Sequence, residues 1–113
     1  KPDPAGVQRA FLQRARLNAE LARWAAAEAD FSSAIARLDE LDAIEATNPF
    51  VYAERSAARS RLGRYAEAAD DALTASIDFK TIGDKLRSLL ASSDVAIASY
   101  GAGDIDEAIS RMR

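Results

Sequence analysis

The chain has 113 residues, 15 basic and 18 acidic side chains, a formal charge of −3 and neither cysteine nor histidine. That length holds one domain. The two missing residue types exclude disulfides, thiol nucleophiles, thiolate or imidazole metal sites and histidine acid–base chemistry. Apolar residues make up 49%, and 26 of the residues are alanine, so a core must form by close approach of helices rather than by aromatic bulk. The mild acidity argues against a nucleic-acid footprint. No apolar run approaches the roughly 18 residues of a membrane span.

No window alternates with period two, so no strand is expected. A first helix is predicted over Ala5–Glu28, with Val7, Phe11, Leu17, Leu21 and Trp24 on one face and Arg9, Arg16, Glu20 and Arg23 opposite. Asp30 is placed to cap a second helix, Phe31–Ile44, whose stripe is Ile35, Leu38 and Leu41. Asn48 and Pro49 suit the cap and first turn of a third helix, which runs to Leu62 and stops at Gly63. A fourth helix spans Tyr65–Phe79. After a turn at Thr81–Asp84, a fifth spans Asp84–Tyr100 and is stopped by Gly101-Ala102-Gly103. Asp104 with Glu107 forms a capping-box pattern for a short sixth helix. That shortness, with Lys1 in first place, predicts a longer full protein.

Three segments superimpose: Ala29–Ile35, Gly63–Ala69 and Gly103–Ile109. Ala34 and Ala68 stand 34 residues apart, Ala68 and Ala108 stand 40 apart. A period near 34 marks a solenoid of antiparallel helix pairs. A small residue lets the chain reverse, a bulky one two positions on plugs the pair, and the alanine lets the helices meet. A larger side chain at that alanine would cost roughly 1–3 kcal/mol.

The middle repeat, with Tyr52, Ser56, Gly63, Tyr65, Ala68 and Ala75, resembles the tetratricopeptide repeat (TPR). The first unit matches at Leu21, Ala22, Phe31 and Ala34, with Ala29 in place of the turn glycine and Leu41 in place of the last alanine. The third matches at Val95, Ala96, Gly103 and Ala108, with Ile105 for the aromatic and Ser92 for the bulky residue. The resemblance covers about Leu17–Arg113. It implies an all-α, right-handed solenoid of three TPR-like units and about six helices, at 5–46, 48–80 and 81–113, the last with a lengthened first helix. Arg55 and Arg59 depart from the family's apolar packing. An ion pair between Arg55 and Asp71 is expected there, with an anion site as the alternative. A fainter likeness, from Asn48-Pro49 through Arg55, Gly63 and Phe79–Asp84 to Val95–Ala108, is to TPR proteins of plant and algal plastids. It implies a chloroplast protein near the photosynthetic membrane with assembly or structural duty.

The resemblance implies binding on a concave face, at Arg16, Glu20, Arg23 and Ala27, then Phe50, Glu54, Ala57 and Arg61, then Leu90, Asp94, Ile97 and Tyr100. The candidate partner-binding residues are Arg16, Glu20, Arg23, Phe50, Glu54, Arg61, Asp94 and Tyr100. The carboxylate clamp of chaperone-binding TPRs is not expected, because its positions hold Ala19, Arg23, Glu54, Leu90 and Asp94, and two acids would repel the ligand. Asp104, Asp106 and Glu107 read as capping residues rather than calcium ligands. Asp39, Glu40, Asp42 and Glu45 read as a solvated flank or as ion-pair partners for the arginines. No phosphate loop, nucleophile elbow or metal spacing occurs, so no catalytic, cofactor, metal or small-molecule site is expected. The reading is a non-catalytic protein–protein interaction scaffold, a subunit or assembly adaptor of a larger complex. Two alternatives are a peptide-binding module with its ligand in the groove, and a peripheral membrane protein using Arg9, Arg14, Arg16 and Arg23 with Phe11 and Trp24.

Overall fold

A computed structural model describes residues 3–38 and 48–111, without the side chains of 102 and 104–111. These residues form five helices and no strand: α1 (Pro4–Glu20), α2 (Trp24–Ala36), α3 (Pro49–Arg61), α4 (Tyr65–Thr81) and α5 (Lys85–Arg111). The principal packing pairs are α1 on α2, α2 on α3, α3 on α4 and α4 on α5. The molecule measures 61 × 32 × 21 Å.

One turn is used three times. At Leu21-Ala22-Arg23, the Ala22 N–H donates to Ala19 O at 3.0 Å and the Arg23 N–H to Asn18 O at 2.8 Å. At Gly63 the same two bonds run to Ser60 (3.1 Å) and from Arg64 to Arg59 (2.8 Å), and at Gly83 to Lys80 (3.0 Å) and from Asp84 to Phe79 (2.8 Å). This pair of bonds is the Schellman motif, which needs a left-handed residue at its centre. Ala22, Gly63 and Gly83 have φ of 56°, 77° and 84°. Each turn reverses the chain, giving the hairpins α1–α2, α3–α4 and α4–α5.

The hairpins also share their inner contacts. Seven residues before each turn and five after it lie Ala15 and Ala27, Ser56 and Ala68, and Ser76 and Ser88. The alanine pair is fully buried. The Ser56 hydroxyl donates to Ala68 O at 2.7 Å, and that of Ser76 to Ser88 O at 3.0 Å. Small side chains here let the helices approach closely. The core that follows joins Leu12, Ala15, Ala27, Phe31, Ala34, Val51 and Ala58 across α1, α2 and α3. A second cluster joins Ala75, Phe79 and Ala91 across α4 and α5.

Several expectations are corrected. The first helix ends at Glu20, not Glu28, because the chain turns at Ala22; Ala29 lies within α2 and is no turn residue. The face drawn through Leu17 and Leu21 is consequently wrong: both are more than half exposed, and Gln8, Leu12 and Ala15 face inward. Asp30 is not a cap but a mid-helix residue, and the true spacing between the first two hairpin turns is 41 residues, Ala22 to Gly63, rather than 34. Lastly, Gly101-Ala102-Gly103 does not stop the fifth helix, so no separate sixth helix starts at Asp104. A glycine inside a helix costs only about 1 kcal/mol relative to alanine, and Gly101 has a packing reason. A Cβ there would lie 2.9 Å from the ring of Tyr65. Asn48 does hold the cap position of α3 and Pro49 its first turn, though the Asn48 side chain makes no capping hydrogen bond. Leu41, the acidic flank Asp39–Glu45, and the side chains of Asp104, Ile105, Asp106, Glu107, Ala108 and Ile109 lie outside the described residues.

Candidate protein-binding groove

Charged side chains fix how the hairpins stand against one another. Within the first, Asp30 accepts from Arg14 (2.9 and 2.7 Å) and from Asn18 (3.1 Å). Within the second, 41 residues on, Asp71 accepts from Arg55 (2.8 and 2.7 Å) and from Arg59 (3.0 Å). Both pairs clamp a hairpin across its turn, from eight residues before it to eight after. The expected Arg55–Asp71 pair is thus present, with the Asp71 side chain only 5% exposed, while Asp70 stands exposed.

A junction between the hairpins grows from the same arginines. Glu28 of α2 accepts from Arg59 of α3 at 3.0 Å and from Arg64 at the start of α4, and Arg55 reaches Ser32 of α2 at 3.2 Å. Arg59 therefore has acidic partners on two sides, Asp71 and Glu28, while Arg55 has Asp71 on one side and the Ser32 hydroxyl on the other. Partnering of this kind is what makes burial of a guanidinium affordable.

The candidate binding residues fall into separate groups. Phe50 of α3 and Asp94 of α5 come together in a shallow groove of about 200 Å³, lined also by Ala53, Phe79, Arg87, Leu90 and Ala91. Its floor is aromatic: Phe50 meets Phe79 edge-to-face at 5.1 Å between ring centres. The Arg87 guanidinium lies over the Phe50 ring at 5.2 Å. Phe50 nevertheless keeps 43% of its surface exposed. Arg87 is held by Asp84 at 2.6 Å. That hydrogen bond, with a second from the Arg87 backbone N–H, holds the Asp84 carboxyl below the usual carboxylate range.

Arg16 and Glu54 instead bind each other through two hydrogen bonds of 2.8 and 2.7 Å, tying α1 to α3. The Glu54 bond holds Arg16 protonated above its ordinary range, against the effect of partial burial. Arg61 stacks over Trp24 at 5.5 Å and so also links the hairpins. Glu20 and Arg23 are exposed near the first turn. Tyr100 is 69% exposed and does not line the groove. Ala27 is buried inside the first hairpin, not on a binding face.

Phe79 and Arg87 were not among the candidates, although both line the groove. Phe79 sits near the end of α4 and Arg87 in the first turn of α5, at positions that the repeat pattern does not single out. An aromatic and a cation flanking a Gly-Asp turn are the only sequence signal for them.

A second depression, about 350 Å³, runs along α1 past Val7, Ala10, Phe11 and Arg14. Phe11 lies under the guanidinium groups of Arg14 (5.6 Å) and Arg37 (5.3 Å). Of the basic residues expected on a membrane-facing first helix, Arg14 and Arg16 are in ion pairs with Asp30 and Glu54, and Trp24 belongs to α2. Among the described residues, no acids converge as a metal site and no helix is long and apolar enough to cross a membrane. Comparison with protein-family models, with curated proteins and with solved structures returned no match.

Proposed function

We propose that the chain is a non-catalytic protein-binding scaffold, a right-handed solenoid of TPR-like hairpins. It serves as a subunit or assembly adaptor of a larger complex and takes a segment of its partner in the α3–α5 groove. The observation that carries this reading is the groove itself. A half-exposed Phe50 and the aliphatic Leu90 lie open beside an arginine and an aspartate, the mixture from which interface anchors are made. The shared turn and shared hairpin contacts support the repeat architecture.

The test is affinity capture from the native source with the wild-type chain, a Phe50→Ala/Leu90→Asp variant, and Leu17→Asp on the first hairpin as a control. Loss of a specific partner by roughly tenfold or more in the groove variant alone supports the reading, since truncating a central anchor typically costs at least that much. A partner kept by the groove variant and lost by the control would overturn it.

A further inference from the structure

The last helix presents a second surface, which shares Leu90, Arg87 and Asp94 with the groove wall and extends past it along α5. Ala91 and Ala98 of α5 are buried, and α5 packs on α4. The opposite side carries Leu86, Leu90, Ser93, Ile97 and Tyr100 at spacings of four, three, four and three, flanked by Leu89. The five large residues are each between 57% and 70% exposed. Alternating four- and three-residue steps are the seam of a two-helix coiled coil. By side-chain size the patch amounts to roughly 600 Å², at the upper end for a monomer. Two such faces together would bury about 1,200 Å², which reaches the size of a specific interface.

We infer that this face pairs with the same face of a second copy, antiparallel, to make a two-fold dimer. The residues match themselves in that orientation. With Leu90 set beside Ser93 of the second copy, a large side chain meets a small one. Leu86 then lies beside Ile97. Tyr100 falls over Gly83, which has no Cβ and nothing within 4 Å of where one would stand. Antiparallel coiled coils bring like flanks together, and here one flank carries Arg87 and Asp94. The same register places each Arg87 within reach of Asp94 of the other copy, twice by symmetry. A parallel pair would instead set Asp94 beside Leu89 of the other flank, leaving Arg87 and Asp94 without each other, and would leave a gap at Ser93, so charge pairing and shape both favour the antiparallel form.

This inference does not depend on the scaffold reading, because it concerns the purified chain alone. Sedimentation equilibrium from about 1 to about 100 µM should show a monomer–dimer equilibrium. Leu86→Lys with Ile97→Lys should raise the dissociation constant by about 100-fold or more, since two lysines from each copy would enter an apolar seam and face one another across it. Helical circular dichroism should stay unchanged, because both residues are exposed in the monomer. Asp94→Arg should weaken the dimer, and adding Arg87→Asp should restore it. A chain that is monomeric throughout, a dimer indifferent to the two lysines, or a charge swap that fails to restore association would each overturn the inference.

Discussion

Ala22 shows how much one backbone angle can hide. It occupies the same turn position as Gly63 and Gly83, yet it carries a Cβ into the left-handed region. That conformation costs an ordinary residue roughly 1 kcal/mol or more relative to glycine. Ala22→Gly is therefore expected to stabilise the fold by about 0.5–1 kcal/mol, and Gly63→Ala to destabilise it by a similar amount. Urea unfolding midpoints would show both. This is also why the first turn was illegible in the sequence. Alanine is the best helix former and announces no break, whereas Gly63 and Gly83 did.

Two aspartates at the same scale act in opposite directions. Asp84 is held below its ordinary pKa by Arg87, so its stabilisation is present at neutral pH. It is lost as pH falls below the ordinary carboxylate value and through the lowered one. Asp78 is raised by burial, so its charged form is a penalty above its folded pKa that lessens on acidification. Asp78→Asn is expected to raise the melting temperature near pH 7 and to have little effect at pH values where Asp78 is already protonated. Asp84→Asn is expected to lower it near pH 7 and to lose its effect in acid. Thermal unfolding scans across acidic and neutral pH would separate them.

Among the elements, α5 departs most from its pattern. Its glycines read as a stop, but Gly101 is a notch for Tyr65. Alanine at 101 would gain about 1 kcal/mol of helix propensity. It would also drive a methyl into the ring, at roughly 1–3 kcal/mol. The Gly101→Ala variant should therefore be less stable than the parent, and the same change in a Tyr65→Ala background should be stabilising. A reversal of sign between the two backgrounds, read by denaturant unfolding, would confirm that the notch holds the ring. Sequence reading recovered α3 and α4 nearly to the residue, because Asn48-Pro49, Gly63 and the Gly83-Asp84 turn are chemically marked boundaries. It missed the end of α1, the start of α2 and the end of α5, where the decisive features are an alanine that breaks a helix and a glycine that does not.

Across the molecule, the hairpins relate by a spacing of 41 between the first two turns and 20 between the second and third. The 34-residue register paired Ala34 with Ala68, two buried alanines at different places in their hairpins. Arg55–Asp71 was legible through the repeat resemblance, which implies an acid one helix later for an arginine at that position. Its counterpart Arg14–Asp30 was not, because Asp30 looked like a cap. Of the candidate binding residues, Phe50 and Asp94 share the groove, while Arg16 and Glu54 are committed to each other. Helical periodicity shows which residues share a face of one helix. It does not show which faces of different helices meet. The central functional claim is most directly tested by placing a photo-cross-linking residue at Ala53 in the groove and another at exposed Ala25 on α2, in the full chain under native conditions. The account expects the Ala53 probe to label one contiguous peptide of another protein and the Ala25 probe to label none. Labelling of the partner from Ala25 but not from Ala53 would contradict it.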